Sequence, residues 1–535
     1  MRAIEFIDMD REELNQLIER AGAGLSGEDQ GKLKGLVEAL SYLTDLVADH
    51  KTTIHDLRKL LFPASTEKTE SVLKQAGIER TTKPADKPDA PKPGKREPKP
   101  PGHGRNGADD YRNPRRLMVP HASLKHGDRC PGCLKGKIYE QQEPRLLVRI
   151  TGQAALTATV YELQRLRCNL CGEVYSADAP EGVGEDKYDE SAAAMIAQLK
   201  YGTGMPFYRL EHLEQNLGIP LPASTQWEIV EEAAELIKPA RDELIRQAAQ
   251  GEVLHNDDTS MRVLALRRAI AEEDGERSGI FTSGVVSTEE GRKIALFFTG
   301  RQHAGENLAD VLKRRAAELP TPIQMSDALS RNAPKPIQLL VANCLAHGRR
   351  QFIRIMPNFP EPCRHVLEAL GEVYYQDRLA RERGLSRVER LHFHQQQSKP
   401  VMDDLHQWFE AQQNERQVEP NSGLGKAINY MLRHWQALTL FLREPGAPLD
   451  NNLVERALKK AILHRRNSLF YKTLNGAEVG DLYMTLIHTC DLNDVNPFDY
   501  LTELQRYSQE LAAKPAAWMP WNHRVALDRA LSKDS

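Results

Sequence analysis

The sequence has 535 residues, which at roughly 150 residues per domain predicts about three or four domains. It is 27% charged and 40% hydrophobic, without an apolar run near the ~18 residues that a bilayer requires, which excludes a membrane-spanning protein. The 72 basic and 75 acidic residues leave a net charge of −3, which excludes a uniformly basic nucleic-acid coat protein. The N-terminus turns acidic within a few residues, unlike a secretory signal, so we expect a cytoplasmic location and no membrane partner.

Residues 1–62 are predicted to form a helical coiled-coil region. From Leu33 onward, apolar residues recur alternately three and four positions apart, which is typical of heptads. The polar His50 interrupts this series, as residues that set register or partner number do. We therefore expect the region to join the chain into a homodimer or a higher oligomer. An amphipathic helix folded back on its own chain is the alternative.

Residues 63–120 are predicted to be a basic, proline-rich linker. Lys-Pro pairs recur here, and eleven Lys/Arg stand against five Asp/Glu between Lys83 and Lys125. Proline removes backbone donors and charge opposes collapse, so no packed core is expected. The segment either neutralises DNA phosphates or serves only as a solvated spacer.

Residues 121–185 are predicted to be a zinc-binding domain of the zinc-ribbon type. Two Cys-x2-Cys pairs suit two tight turns that present four thiolates to one tetrahedral Zn²⁺. Strand-like stretches lie between the pairs, at 146–150 and 156–161. A redox role is the weaker alternative, because two pairs lie in one short segment. The expected zinc ligands are Cys130, Cys133, Cys168 and Cys171.

Residues 186–250 are predicted to be a helical domain with the outline of a helix-turn-helix. Helices are expected at 189–200, at 208–217 and from the capping residue Ser224 to Gln250, with a break at a glycine and two prolines. Two helices around a turn are also a common packing unit. DNA reading by the second helix and simple packing therefore remain alternatives.

Residues 251–345 are predicted to begin a ribonuclease-H-like α/β core. Strands are expected at 253–258 with a continuation over 261–266, at 280–287, at 293–299 and at 322–327, with a helix at 304–318 before the last of them. In that fold, acidic residues near the first and fourth strands meet. Apolar runs lead here into Asp257 and Asp327, so we expect these two carboxylates at comparable strand ends.

Residues 346–445 are predicted to be a helical insertion, because the next acidic candidate lies too far along the chain for a bare core. Helical patterns are expected at 363–381, 390–413 and 423–442. Residues 446–500 are expected to complete the catalytic core, and residues 501–535 to form a C-terminal tail. The fold class is therefore a multidomain α+β protein.

The third carboxylate is expected from Glu455, on a helix capped by Asp450 or Asn451. Two divalent cations, Mg²⁺ or Mn²⁺, held about 4 Å apart require a bridging aspartate and flanking carboxylates. A plain ion pair between Glu455 and Lys459 is the structural alternative. Three basic residues of this helix are expected to contact terminal DNA phosphates, namely Lys459, Arg465 and Arg466.

These residues resemble the motifs of the insertion sequence 66 family of transposases, of the DDE type. The run HNDDT at 255–259 resembles the family's HADET, and CLAHGRRQF at 344–352 resembles its CWAHxRRxF. The stretch 450–458 is similar to its DNxxERxL motif, RRNSLF at 465–470 to GRKNWLF, and WMPWN at 518–522 to LPWN. An N-terminal coiled coil and paired CxxC motifs extend the resemblance over nearly the whole chain.

The resemblance implies a metal-binding triad of Asp257, Asp327 and Glu455, with Mg²⁺ or Mn²⁺ as cofactor and structural Zn²⁺ elsewhere. Asp258 stands where the family has glutamate, and strand alternation allows only one of the two adjacent aspartates to face the metals. The resemblance places His347 near the site, and a structural histidine buried in a core is the alternative.

The implied reaction is metal-dependent cleavage at transposon ends followed by strand transfer into target DNA. Transposon-end DNA and target DNA are the expected partners, together with accessory proteins of the same element. Two alternatives remain open. One is a non-catalytic, zinc-dependent DNA-binding protein with a vestigial core, and the other is a hydrolytic nuclease that does not join strands.

Overall fold

The computed structural model describes residue 69 and residues 118–139, 154–184 and 186–534, apart from positions 132, 168, 170, 172, 173, 273–276 and 290. The chain divides into two compact units, Met1–Thr82 with Gln351–Tyr375 and Lys83–Arg350 with Gln376–Ser535. The second is called the main unit below. The predicted coiled coil (1–62) and nearly all of the predicted linker (63–120) lie outside the described residues.

A two-stranded antiparallel sheet flanks the second cysteine pair. Strand β1 (Arg165–Arg167) pairs with β2 (Val174–Ser176). The strand expected at 156–161 is wrong, because those residues belong to no strand and the pairing starts only at Arg165. The side-chain alternation there is that of a strand, but it finds no neighbouring ladder among the described residues. The stretch 146–150 lies outside them.

Between residue 186 and the main sheet the structure has three helices: α1 (Glu190–Ala197), α2 (Phe207–Asn216) and α3 (Ala223–Ala248), with a π-helical turn at Gln198–Gly202 after α1. The predicted helices are thus confirmed. The expected cap at Ser224 is wrong, because α3 begins at Ala223 and Pro222 occupies the N-cap. Acidic side chains, including Glu232 and Glu235, are exposed along α3. Their charge opposes DNA binding by that face of α3, which is the second helix of the predicted helix-turn-helix.

The main sheet has five strands in the order β5-β4-β3-β6-β7. They are β3 (Val253–Ser260), β4 (Phe281–Glu289), β5 (Arg292–Gly300), β6 (Ile323–Ser326) and β7 (Leu340–Asn343). Neighbours among the first three are antiparallel, whereas β6 is parallel to β3 and β7 is parallel to β6. The predicted three strands, helix (α5, Ala304–Leu312) and fourth strand occur in this order, but a further helix separates the first two strands. The chain is therefore a mixed α/β protein.

The expected continuation of the first strand over 261–266 is wrong. Strand β3 ends at Ser260, and helix α4 (Leu264–Glu272) follows. The alternation of buried Met261 and Val263 around exposed Arg262 is that of a strand. Leu266 and Ile270, which pack against the core, have helical spacing instead, so the strand signal reaches only to Val263.

Helices dominate the chain after β7. They are α6 (Leu345–Ile355), α7 (Pro360–Glu382), α8 (Arg387–Gln397), α9 (Lys399–Asn414), α10 (Gly423–Arg433), α11 (Trp435–Leu438), α12 (Asn452–Ser468), α13 (Leu474–Leu492), α14 (Pro497–Arg506), α15 (Ser508–Ala513) and α16 (His523–Asp534). The predicted helical character of 346–445 is confirmed. The single helix expected at 390–413 is two helices, which meet at Ser398. Among the described residues, none of the helices is both long enough and apolar enough to cross a bilayer.

Helix α13 covers the outer edge of the sheet. Backbone N–H groups of β5 donate to side chains on this helix, Ala295 to Thr489 Oγ1 (3.1 Å) and Phe297 to Thr485 Oγ1 (3.2 Å). Unpaired N–H groups of an edge strand would otherwise be available to another strand. The helix therefore closes the β5 edge of the sheet.

Candidate active site

The first two predicted carboxylates lie at matching positions on neighbouring parallel strands. The pairing of β3 with β6 runs from Val253 opposite Ile323 to His255 opposite Met325. The same register, extended by two residues, places Asp257 beside Asp327. Adjacent strands are about 4.8 Å apart, so the two side chains share one end of the sheet.

Strand alternation separates Asp257 from its neighbour Asp258. The Asp258 carboxylate is 1% exposed and pairs with His303 Nδ1 at 3.0 Å and with Arg331 Nη2 at 3.2 Å. Asp257 instead shares a donor with Asp327, because Asn332 Nδ2 donates to Oδ1 of both residues, at 3.4 Å in the case of Asp257. The two adjacent acids therefore belong to different clusters, and the one with Asp257 contains the second aspartate.

Helix α12 carries Glu455 in its first turn and packs on the strands beside Asp257. Gly284 of β4 lies directly opposite Asp257. A Cβ atom at Gly284 would come within 3.0 Å of Leu458 Cδ2 and 3.1 Å of Val454 Cγ2. The missing side chain therefore permits the close approach of α12 that brings Glu455 to the site.

Asn451, the N-cap of α12, connects this helix to the first strand. It is fully buried, its Nδ2 donates to Asn256 O at 3.1 Å, and its Oδ1 lies 3.1 Å from His255 Nδ1. Its backbone N–H donates to Cys344 Sγ at 3.2 Å. The expected alternative cap, Asp450, accepts from Asn452 N at 3.1 Å. Both residues named as caps in the sequence thus shape the start of this helix.

Glu455 lies beside residues of helix α6. His347 Nδ1 is 3.8 Å from Glu455 Oε1, and Arg350 Nη2 is 3.4 Å from Oε2. One potential ligand atom each from Cys344, His347 and Glu455 lies within 4.8 Å of the others. Burial raises the pKa of the Cys344 thiol to about 12, which opposes formation of a metal-binding thiolate. His347, which the resemblance placed near the site, lies beside Glu455.

The electrostatics of the cluster favour a cation. Burial, followed by the charge of Asp327 and with a smaller effect of Glu455, raises the pKa of Asp257 to about 7. Glu455 Oε1 is buried and accepts no hydrogen bond within the described part of the chain. Concentrated carboxylates with an orphaned oxygen are suited to hard divalent ions such as Mg²⁺. Asp257 and Glu455 therefore offer oxygen atoms of the kind that such ions bind.

Asn332 is a site residue that the sequence reasoning missed. It lies in a single 3₁₀ turn after β6 and is fully buried. Its backbone carbonyl accepts from Asn256 Nδ2 (2.8 Å) and Gln324 Nε2 (2.6 Å), while its side chain bridges the two aspartates. The only sequence signal was its place five residues after Asp327, which would not have distinguished it from other loop polar residues.

The three predicted phosphate contacts have different surroundings. Lys459 and Arg466 are exposed on α12. Arg465 instead donates to Thr259 Oγ1 (3.1 Å) and Ser260 Oγ (2.8 Å), so it binds the end of β3. Arg456, which the prediction omitted, is exposed three residues before Lys459. Arg456, Lys459 and Arg466 share one helix face by their spacing and form a basic stripe beside Glu455.

The first cysteine pair forms a tight turn. Cys130 N donates to Gly136 O and Leu134 N to Cys130 O, both at 2.8 Å, and Gly136 N donates to Cys133 Sγ at 3.4 Å. Hydrogen bonds from the Gly136 and Lys135 N–H groups and from Cys130 lower the pKa of Cys133. N–H groups aimed at a sulfur favour the thiolate that zinc requires. Cys171 is described and exposed, whereas Cys168 lies outside the described residues.

Comparison with known proteins identifies the class of the chain as a transposase. The sequence model described as "Transposase IS66 family" matches residues 187–479, from α1 into α13. That segment is more than half of the chain and includes all three predicted carboxylates. The protein therefore belongs to the IS66 family of transposases, and membership of a transposase family implies DNA binding.

Three curated relatives come from Sinorhizobium fredii (strain NBRC 101917 / NGR234). The chain is 27% identical over 383 residues to the uncharacterized protein y4hP, covering 68% of this chain and 67% of that protein. It is 27% identical to the uncharacterized protein y4jD, covering 68% and 71%, and 28% identical to the uncharacterized protein y4qI, covering 63% and 62%. The names of these three relatives assign no activity.

Proposed function

We propose that the protein is a DDE transposase that cleaves DNA at transposon ends and transfers the freed strand into target DNA. The convergence of Asp257, Asp327 and Glu455 at one end of the sheet carries this proposal. The strand order, three antiparallel strands followed by two parallel ones, supports a ribonuclease-H-like core. The position of buried Asp257 beside Asp327, with Glu455 near enough to affect its pKa, disfavours a purely DNA-binding role.

The site would hold Mg²⁺ or Mn²⁺ through Asp257, Asp327 and Glu455. Such ions, when bound, activate an attacking oxygen and stabilise the leaving oxygen of an in-line phosphoryl transfer. The side chains of the protein orient the carboxylates and bind DNA. Arg350 and His347 hold the Glu455 carboxylate, while Asn332 fixes the separation of the two aspartates. Arg456, Lys459 and Arg466 offer positive charge to DNA phosphates along α12.

Structural zinc is proposed for the two cysteine pairs, with Cys130, Cys133, Cys168 and Cys171 as ligands. The hydrogen-bonded turn around Cys133 supports this assignment. Association into a homodimer or higher oligomer through residues 1–62, and a requirement for accessory proteins of the same element, stay predictions.

We expect about one zinc per chain after purification without chelator. Cys133→Ser should lose that zinc, because a tetrahedral structural site needs all four ligands. Cys490→Ser is the matched control, since Cys490 lies buried in α13, away from both pairs in sequence. Metal analysis by mass spectrometry checks the result. Equal zinc content in wild type and Cys133→Ser would contradict the assignment.

A joining assay tests the proposed reaction. DNA duplexes that carry the terminal sequences flanking the gene are incubated with purified full-length protein, a supercoiled target plasmid and Mg²⁺. We expect nicked ends and covalently joined products. Glu455→Gln should remove both, because the amide keeps the shape of the carboxylate and loses its charge.

Glu235→Gln, on the exposed acidic face of α3, is the control and should retain activity. Cleavage without joined product would favour the hydrolytic nuclease. Binding without cleavage in wild type would favour the non-catalytic DNA-binding protein. Undiminished joining by Glu455→Gln would reject the role given to this carboxylate.

A further inference from the structure

Helix α12 ends in a strained turn. Leu469, its C-cap, has φ 68° and ψ −41°, and Phe470 N donates to Ser468 O at 2.8 Å. A hydrogen bond between residues i and i+2 around a central residue with positive φ and negative ψ defines the rare, strained form of the γ-turn. A leucine side chain disfavours this conformation, and such strain is kept where the surrounding structure enforces it.

The turn presents two large apolar side chains to solvent. Leu469 is 58% exposed and Phe470 is 42% exposed. The next residue, Tyr471, is instead anchored, because its N–H donates to Arg262 O at 2.8 Å and its own carbonyl accepts from Leu264 N at 2.9 Å. The exposed pair is thus held between a helix end and a fixed segment. Such a placement is unlike that of a side chain on a loose loop.

Positive charge surrounds this pair, which is called the Leu-Phe elbow below. Arg465 donates to Ser260 Oγ at 2.8 Å, two residues before Arg262, and burial together with the charges of Arg466 and Arg262 lowers the pKa of Arg465. Arg262 and Lys472 are exposed beside the anchored segment. Positive charge beside an exposed aromatic ring is complementary to a nucleotide, whose phosphate pairs with arginine while its base stacks on the ring. It is not complementary to an apolar protein segment.

The elbow is also near the proposed chemistry. The segment after it hydrogen-bonds to Arg262, which lies five residues after Asp257 and two after the end of β3. Five extended residues span at most about 17 Å. At about 3.4 Å per base pair, that distance corresponds to roughly five steps of duplex DNA. A nucleotide on the elbow therefore belongs to the same DNA that reaches the carboxylates.

We propose that the Leu-Phe elbow is a stacking site for an unpaired nucleobase of the DNA held at the active site. Phe470 supplies the stacking face, Leu469 packs beside it, and Arg262 with Arg466 binds the flanking phosphate. The preferred substrate is then DNA whose strands are locally separated. The strained turn holds the two side chains in the exposed position in which they would bind it. The inference rests on the proposed action on DNA and adds the form of DNA that is bound.

Binding of full-length protein to two DNA probes tests the inference without requiring catalysis. One probe is a fully paired duplex, and the other is the same duplex ending in an unpaired fork that contains 2-aminopurine. Wild type should bind the fork about tenfold more tightly than the paired duplex and should quench the 2-aminopurine by stacking. Phe470→Ala should lose the preference and the quenching, whereas Phe470→Trp should retain both.

Leu236→Ala, an exposed leucine of α3, is the control and should behave as wild type. Arg262→Ala should weaken binding of both probes and reduce the salt dependence, because it removes a phosphate contact. Equal affinity of wild type for fork and paired duplex, or unchanged quenching in Phe470→Ala, would overturn the inference. The joining assay uses neither probe, so a failure of the elbow and a failure of the proposed reaction are told apart.

Discussion

Asp257→Asn is expected to stabilise the metal-free protein at neutral pH while abolishing metal-dependent cleavage. Burial and neighbouring carboxylates raise the pKa of Asp257 from 3.8 to about 7 in the folded chain. The charged side chain therefore opposes folding at pH 8 unless a cation compensates it. Asparagine has nearly the same shape and no charge, so it relieves the repulsion and removes a proposed metal ligand in one change.

The pH dependence has a defined sign. Between about pH 4 and pH 7 the folded chain binds a proton at Asp257 that the unfolded chain has released. The free energy of unfolding therefore falls as the pH rises through this window, by up to about 1.4 kcal/mol per pH unit from this group. Above pH 7 its contribution is constant. Asp257→Asn should lack this slope.

Thermal unfolding in the presence of a chelator, from pH 4 to pH 8, measures the effect. Asp258→Asn is the matched control, because it removes the adjacent acid from its ion pairs with His303 and Arg331. That control should destabilise the protein, opposite in sign to Asp257→Asn. Addition of Mg²⁺ should stabilise wild type more than Asp257→Asn. A lower unfolding temperature for metal-free Asp257→Asn at pH 8 would refute the electrostatic account.

The two aspartates were predictable because each follows an apolar run that forms a buried strand. A run such as Val253-Leu254 or Ile323-Gln324-Met325 indicates a buried strand that leads to the aspartate. The local sequence does not indicate which other strand it pairs with. The sequence could therefore nominate Asp257 and Asp327, while their shared position depends on a parallel register that only the folded sheet fixes.

Asn332 and Gly284 were not predictable for the same reason. Each acts through a partner distant in sequence, Asn332 through Asp257 and Gly284 through the side chains of α12. Neither residue belongs to a periodic pattern or a charge cluster. Arg465 shows the reverse case, because its basic neighbours suggested a phosphate contact although its guanidinium binds the end of β3. Residue type alone does not distinguish a structural arginine from a ligand-binding one.

Helix boundaries depend on competition between signals in the local sequence. The pattern over 390–413 has continuous helical periodicity, yet the helix breaks at Ser398, whose Oγ lies 2.9 Å from His394 Nδ1. Pro400 lies in the first turn of the second helix, a position that proline tolerates well. A serine followed by this proline was a usable stop signal. The continuous apolar periodicity on both sides of this signal predicts one helix instead.

The second large effect is expected at Asn451, which connects the helix that carries Glu455 to the strand that carries Asp257. Asn451 Nδ2 donates to Asn256 O, so its Oδ1 is left to accept, and the nearest donor is His255 Nδ1 at 3.1 Å. Burial lowers the pKa of His255 to about 4, which keeps the imidazole neutral with its proton on Nδ1. Asn451 thereby fixes the start of α12 to the residues that immediately precede Asp257.

Asn451→Ala should weaken Mg²⁺ activation of DNA cleavage by about 10- to 100-fold, the range found when groups that orient metal ligands are removed. Two buried polar groups, Asn256 O and His255 Nδ1, would lose their partner, at about 1–3 kcal/mol each in the free energy of unfolding. Mg²⁺ titration of the cleavage rate, beside denaturant unfolding, separates the two effects. Asn452→Ala, one residue later and only half-buried, should change neither. A loss of stability without a shift in the Mg²⁺ midpoint would show that Asn451 supports the fold but does not position Glu455 for the metal.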